Sequence, residues 1–150
     1  MIAVDTNILV YAHRSELPQH RSVLAALTAL AEGRARWGIP VCCLGEWLRA
    51  ITHPRLFSPP HTVDEATAAL ERGLASPSLE ILQPGAAYPQ LLAEAMREAA
   101  ARGNLVYDAQ IVALCRESGA SSLLAEDRDF ARFSGFSCTA LGPTSEVHEP

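Results

Sequence analysis

The stretch MIAVDTNILVYAHR (residues 1–14) places a carboxylate inside an apolar run. Its first residues have the pattern of a short buried strand that ends at Asp5. Residues 6–14 look like the start of a helix, for which Thr6 or Asn7 could supply the cap, and Asp5 itself could be only a cap. A carboxylate at the end of a buried strand is costly unless something compensates it, so Asp5 is the first candidate for a functional residue.

Short strands and helices alternate along the rest of the chain. Further strands are predicted at 36–40, 78–82, 121–125 and 137–141. Helices are predicted at 19–32, 41–53, about 62–74 with Thr62 or Asp64 as cap, 87–102 closed by Gly103, and 104–119. In the helix at 41–53, Leu44, Leu48 and Ile51 share a face with Trp47 beside them. The alternation predicts an α/β fold with a central parallel sheet of about four to five strands and helices on both faces.

Composition excludes several classes of protein. With 150 residues, 49% of them hydrophobic and 19% charged, the chain is long enough for one globular domain. It has no apolar run of membrane-spanning length and no basic, apolar leader, so a cytoplasmic location without membrane contact is expected. All twelve basic residues are arginine, which excludes P-loop and Schiff-base chemistry but permits bidentate phosphate binding.

The cysteines and histidines do not form a recognisable metal or redox motif. Cys42, Cys43, Cys115 and Cys138 contain no C-x-x-C pair, and no histidine lies at zinc-ligand spacing from them. They are interpreted as small apolar residues in a reducing compartment, and the fold should not depend on their oxidation state.

Acidic residues occupy unfavourable positions in three further places. Asp108 shares a helical face with Ile111, Val112 and Cys115, although a place in the first turn after an Asn104 cap would also account for it. Glu46 lies within an apolar helix, where the alternative is a surface pair with Arg49. Asp127 and Asp129 follow the apolar strand at 121–125, where the alternative is a solvated turn.

Taken together, these acids suggest one pocket beyond the carboxyl ends of the strands. Two carboxylates about 4 Å apart repel by roughly 4 kcal/mol at an effective dielectric near 20, so such a pocket must hold protons or a cation. Oxygen ligands alone favour Mg²⁺ or Mn²⁺, the cations used in phosphodiester cleavage.

Four motifs in order resemble those of PIN-domain endoribonucleases, specifically the VapC-type toxins of bacterial toxin–antitoxin pairs. The resemblance covers essentially the whole chain. It lies in the motif D-T-N at residues 5–7, the acid of CLGEWL at Glu46, the acid of NLVYDAQIVALC at Asp108, and LLAEDRDF at residues 123–130. One departure is Ala125, where the family usually has threonine or serine; it lacks a hydroxyl that helps to organise the site but removes no metal ligand.

The resemblance implies a PIN-like three-layer sandwich over residues 1–142, followed by a flexible C-terminal tail at 143–150. It implies that Asp5, Glu46, Asp108 and Asp127 are catalytic and hold Mg²⁺ or Mn²⁺, with Asp129 at the margin. It also implies that Asn7 steadies a carboxylate or a water, while Thr6 caps the helix.

The function so implied is metal-dependent endoribonuclease, with RNA as substrate, a cognate antitoxin as protein partner and a homodimer as assembly. A non-catalytic PIN-like module that binds metal or RNA is the alternative. Phosphoryl carriers of the haloacid-dehalogenase or receiver type also use an aspartate after the first strand, but they normally need a lysine, which this chain lacks.

Overall fold

A computed structural model describes residues 1–126 and 128–139, without the side chains of Arg128 and Asp129. It contains five strands: β1 (Ile2–Val4), β2 (Trp37–Pro40), β3 (Leu79–Leu82), β4 (Ser122–Leu124) and β5 (Ser137–Thr139). Its helices are α1 (Thr6–His13), α2 (His20–Glu32), α3 (Val41–Ile51), α4 (Val63–Leu74), α5 (Tyr88–Ala99) and α6 (Leu105–Ser118). A 3₁₀ turn spans Arg128–Arg132. The predicted alternation of strands and helices is therefore confirmed.

The strands form one parallel sheet in the order β3-β2-β1-β4-β5. The chain moves from β1 outward to β3 and then returns to pair β4 with the other side of β1. Right-handed crossovers place α1 to α4 on one face and α5 and α6 on the other, which is the predicted three-layer arrangement. The order in which successive strands are added to the sheet reverses between β1 and β4, and ligand sites in such sheets lie at this point, beyond the carboxyl ends of the strands.

The core fills both sides of the sheet. The largest fully buried side chains include Trp47, Ile8, Leu82, Ile111 and Phe130. Since each layer contributes to one continuous core, the strand ends are held rigidly. In the part of the chain that is described, no helix combines the length and the apolar character needed to cross a bilayer.

Three details differ from the sequence prediction. The helix predicted to reach residue 102 ends at Ala99, because Ala100 adopts a left-handed conformation (φ 48°) and the Ala101 N–H turns back to the Met96 carbonyl. The buried face of α3 consists of Cys43, Trp47 and Ile51, whereas Leu44 and Leu48 are only half-buried. The face predicted for α3 was therefore rotated by about one residue.

Other local predictions are confirmed within one or two residues. Thr62 caps α4 with a full capping box, in which it exchanges hydrogen bonds with Glu65. The four cysteines form no disulfide with one another. The last predicted strand is described as far as Thr139, and the tail predicted at 143–150 lies outside the described residues.

Candidate active site

Asp5 lies directly after β1, at the point where the strand order of the sheet reverses. Its backbone N–H donates to the Leu124 carbonyl of β4, and the residue is only 6% exposed. Asp5 is also the N-cap of α1, because its Oδ1 accepts the Thr6 N–H at 2.7 Å. The prediction that Thr6 or Asn7 caps this helix is therefore wrong: the extended backbone at Asp5 turns its own carboxylate onto the first helical N–H.

Thr6 connects Asp5 to Glu46. While its N–H donates to Asp5, its hydroxyl donates to Glu46 Oε2 at 2.8 Å. These two bonds hold Asp5, which follows β1, and Glu46 of α3 on either side of Thr6. The contact joins distant parts of the chain, because 40 positions of sequence separate Thr6 from Glu46. In the described structure Glu46 is thus bonded to Thr6 and not to Arg49, so the surface pair considered as an alternative does not form.

Glu46 and Asp108 line the same cavity, whose volume is about 830 Å³. Thr6 and Asn7 contribute the wall from α1, Glu46 that from α3, and Asp108 that from α6. The cavity therefore lies where helices from both faces of the sheet meet at the end of β1. Two predicted acids and both predicted supporting residues come together here.

Asp108 lies in the first turn of α6, on the face that the spacing predicted. Ile111, Val112 and Cys115 on this face are buried, while Asp108 is half-buried at its end. Asn104 is the N-cap by position but makes no side-chain cap hydrogen bond. Asp108 therefore interacts favourably with the dipole of α6 and also lines the cavity. Its position fits both a helix-stabilising role and a role in the site.

The convergence of all four acids remains a prediction. Asp127 lies outside the described residues, as does the side chain of Asp129. Among the residues that are described, no three histidine, cysteine, aspartate or glutamate side chains form a group able to hold a metal ion. Ala125, at the departure from the family pattern, is fully buried at the end of β4.

Two of the thiols near the site are poor candidates for metal ligands. The hydrogen bond with Cys42 and burial raise the pKa of Cys43, and burial raises the pKa of Cys115 to about 12, with smaller contributions from Cys42 and Asp5. Both thiols are therefore protonated at neutral pH and are poor metal ligands. The hydrogen bond with Cys43 lowers the pKa of Cys42, but Cys42 does not line the cavity. The carboxylates of Glu46 and Asp108 and the Thr6 hydroxyl do line it, and such oxygen donors fit Mg²⁺ or Mn²⁺.

Sequence reasoning missed five residues of this cavity, of which Arg49, Asn104 and Tyr107 carry polar groups. Arg49 lies one helical turn after Glu46, and Tyr107 directly precedes Asp108. Neither residue belongs to an apolar pattern. Their positions next to predicted site residues were the available signal.

The chain is similar to known proteins over most of its length. The sequence profile of the PIN domain matches residues 2–135. Ribonuclease VapC43 of Mycobacterium tuberculosis is 35% identical over 133 residues, covering 89% of this chain and 90% of that protein. The chain belongs to the VapC ribonuclease family of PIN-domain proteins. Ribonuclease VapC31 of the same organism, another VapC relative, is 33% identical over 89% of this chain and 93% of its own length.

Solved VapC structures share the fold. The crystal structure of VapBC2 from Rickettsia felis, bound to a promoter DNA fragment, superposes with a TM-score of 0.65 at 23% identity, covering 93% of this chain and 98% of that one. The Mycobacterium tuberculosis toxin VapC20 gives 0.66 at 21% identity, covering 87% and 93%. These likenesses confirm the predicted PIN-like α/β architecture.

Proposed function

We propose that this PIN-domain protein is a Mg²⁺- or Mn²⁺-dependent endoribonuclease that acts as the toxin of a toxin–antitoxin pair. The observation that carries the proposal is that Thr6 connects Asp5 to Glu46, and that Glu46 and Asp108 line the same cavity. Membership of a ribonuclease family supports the same chemistry. A cytoplasmic location fits an RNA substrate.

The metal would be held by Asp5, Glu46 and Asp108, together with Asp127 and, at the margin, Asp129. When bound, such a cation would supply Lewis-acid chemistry, activating a water and neutralising charge on the phosphate. Thr6 supports these ligands, because its two donors orient two of the acids, and such outer contacts typically affect metal affinity or rate by roughly 10–100-fold.

Arg49 is suited to hold the substrate phosphate. It lies on the cavity wall, one turn from Glu46, and forms no ion pair within the described structure. A guanidinium can bind a phosphate through two parallel hydrogen bonds. Asn7 is exposed on this wall and makes no side-chain hydrogen bond to another described residue, so it is available to a substrate or a water.

A cognate antitoxin is the proposed protein partner. An apolar cavity of about 580 Å³ lies among α1 to α4, and its lining includes Leu24 and Leu74, which are 42% and 45% exposed. Exposed leucines around a groove are typical of a docking surface for another chain. Co-purification with the product of a neighbouring short open reading frame tests this partner, and the mass of the uncomplexed protein tests the homodimer.

Replacement of Asp108 tests the catalytic proposal. Asp108→Asn should lower the rate of RNA cleavage in Mn²⁺ by roughly 100-fold or more, because it removes a charge that holds the metal. Asp64→Asn is the matched control, since Asp64 also lies in the first turn of a helix but is remote from this cavity.

The assay uses a labelled RNA pool, with chelator in place of Mn²⁺ as the second control. Equal cleavage by Asp108→Asn and wild type, or wild-type cleavage in chelator, contradicts the proposal. Binding of Mn²⁺ or RNA without any cleavage by the wild type would instead support the non-catalytic module.

A further inference from the structure

We propose that Tyr11 and Gln19 are positioning residues that hold the carboxylate of Glu126. By doing so they fix the point at which the chain leaves β4 beside Asp5. We call Tyr11, Gln19 and Glu126 the Glu126 clamp. The proposal rests on the ribonuclease function, because the next residue, Asp127, is one of the proposed metal ligands. It gives Glu126 a role in positioning and none in binding the metal.

The end of β4 lies against Asp5. Leu124, the last residue of β4, accepts the Asp5 N–H at 3.1 Å. Ala125 follows and donates its N–H to the Thr139 carbonyl at 3.4 Å, but its fully buried side chain has no polar group. Glu126 is therefore the first residue after β4 whose side chain can form a hydrogen bond.

The Glu126 carboxylate binds to both helices that follow β1. Gln19 Nε2 donates to Glu126 Oε1 at 3.3 Å, and the Tyr11 hydroxyl also forms a hydrogen bond with this carboxylate. Tyr11 is half-buried in α1, and Gln19 is the N-cap residue of α2. Glu126 is exposed and does not line the acidic cavity, by which we mean the cavity lined by Glu46 and Asp108. Its carboxylate is thus engaged by α1 and α2.

His20 holds the two donors of the clamp together. Its Nδ1 donates to the Tyr11 carbonyl at 2.8 Å. This carbonyl lies in the last turn of α1, where backbone acceptors have no partner within the helix. Because His20 directly follows Gln19 in the chain, the bond fixes Gln19 relative to Tyr11.

The electrostatic surroundings of Tyr11 place its hydroxyl near both acids. Burial raises the pKa of Tyr11, and the hydrogen bond to Glu126 and the negative charges of Glu126 and Asp5 raise it further. The phenol therefore keeps its proton at neutral pH and donates it to the carboxylate, which is a charge-assisted hydrogen bond. The clamp lies at the edge of the acidic site, close enough for the charge of Asp5 to act on it.

The clamp affects a metal ligand through the backbone. Consecutive Cα atoms are about 3.8 Å apart, so a fixed Glu126 restricts where the ligand proposed at Asp127 can lie. Loss of a contact that orients a metal ligand typically lowers metal affinity or activity by roughly 10- to 100-fold. Because the clamp acts through one peptide unit, we expect effects at the lower end of this range.

Removal of the Tyr11 hydroxyl tests the clamp. Tyr11→Phe keeps the ring, so the protein should remain folded, which circular dichroism and melting curves check. Mn²⁺ affinity, measured by titration calorimetry, should fall by roughly 10-fold, and so should kcat for RNA cleavage. KM should stay within about twofold of the wild-type value, because no substrate contact is removed.

Tyr88→Phe is the matched control. Tyr88 is also half-buried, but its hydroxyl makes no hydrogen bond to another described residue and it does not line the acidic cavity. Wild-type Mn²⁺ affinity and kcat in Tyr11→Phe overturn the proposal, and so does an equal loss in Tyr88→Phe.

Variants of Glu126 separate positioning from metal binding. Glu126→Gln loses the charge but keeps an oxygen that accepts hydrogen bonds, so its Mn²⁺ affinity should stay near that of the wild type, whereas Glu126→Ala should lose roughly 10-fold. Glu94→Ala is the control, because Glu94 accepts a hydrogen bond from Gln90 at 3.1 Å on the exposed side of α5. An equal loss in Glu126→Gln and Glu126→Ala would make Glu126 a ligand and overturn the proposal.

A double variant tests whether Tyr11 acts through Glu126. Tyr11→Phe combined with Glu126→Ala should lose no more affinity than Glu126→Ala alone, and additive losses contradict the clamp. If the wild type binds Mn²⁺ but cuts no RNA, the ribonuclease function fails, while the affinities of the variants still decide the clamp. If the wild type cuts RNA and Tyr11→Phe cuts it equally fast, the clamp alone fails.

Discussion

Thr6 connects two acids of the candidate site by hydrogen bonds. Its N–H and hydroxyl hold Asp5 and Glu46 at once. Thr6→Val keeps the shape and the N–H but removes the hydroxyl, so α1 should remain capped while Glu46 loses its orientation. We expect Mn²⁺ affinity or cleavage rate to fall by about 10–100-fold, and Thr6→Ser to recover most of the loss. Titration calorimetry with Mn²⁺ and cleavage kinetics measure the two quantities.

The matched control for Thr6 is Thr67→Val. The Thr67 hydroxyl donates to the Val63 carbonyl of its own helix, at 2.9 Å, on an exposed surface. The change of atoms is identical, but no acid depends on it. Wild-type Mn²⁺ binding and cleavage in Thr6→Val would show that the hydroxyl does not position Glu46.

Glu117 joins two helices on the second face of the sheet. From α6 it accepts the N–H groups of Gly85 and Ala87, at 2.9 and 3.0 Å, just before α5 begins. A Cβ at position 85 would lie 2.5 Å from Glu117 Oε1, so a larger residue there would force the Glu117 carboxylate to shift away from these N–H groups. In Glu117→Ala both N–H groups bond to water instead, so we expect the free energy of unfolding to fall by about 1–2 kcal/mol. The melting midpoint should fall accordingly by roughly 2–8 °C.

The control for Glu117 is Glu71→Ala on α4, where the glutamate is exposed and makes no hydrogen bond to another described residue. Both variants remove one negative charge from a helix. Calorimetric melting curves that coincide for the two would mean that the contact between α6 and the start of α5 adds nothing to stability.

The stability of the whole molecule should depend on metal through Asp5. Asp5→Asn keeps a side-chain oxygen that can accept the Thr6 N–H, and asparagine caps helices as well as aspartate does. Removing one charge from a group of repelling acids should leave the midpoint without metal equal or higher. At a Mn²⁺ concentration of 100 Kd, the free energy of unfolding of the wild type should rise by about 2.7 kcal/mol, and that of the variant should rise by less.

Melting curves with and without Mn²⁺ measure this difference directly, without reference to catalysis. Asp64→Asn again serves as the control, because its carboxylate is exposed and outside the acidic cavity. If Mn²⁺ raised the melting midpoint of wild type and Asp5→Asn equally, Asp5 would not be a metal ligand.

The sequence by itself determined the features that depend on neighbours in the chain. The order of strands and helices follows from local apolar periodicity, and the Thr62 capping box follows from a threonine and a glutamate three positions apart. Asp5 after β1 and Asp108 on the apolar face of α6 could be selected because their immediate surroundings are apolar. These patterns sufficed for the fold class and for selecting Asp5 and Asp108 as candidates.

Only the tertiary structure decided which distant residues meet. The bond from Thr6 to Glu46 exists because the crossover from β1 to β2 brings α3 beside α1. Arg49 and Tyr107 joined the cavity for the same reason: their positions depend on where whole helices pack, and local periodicity carries no information about contacts between elements.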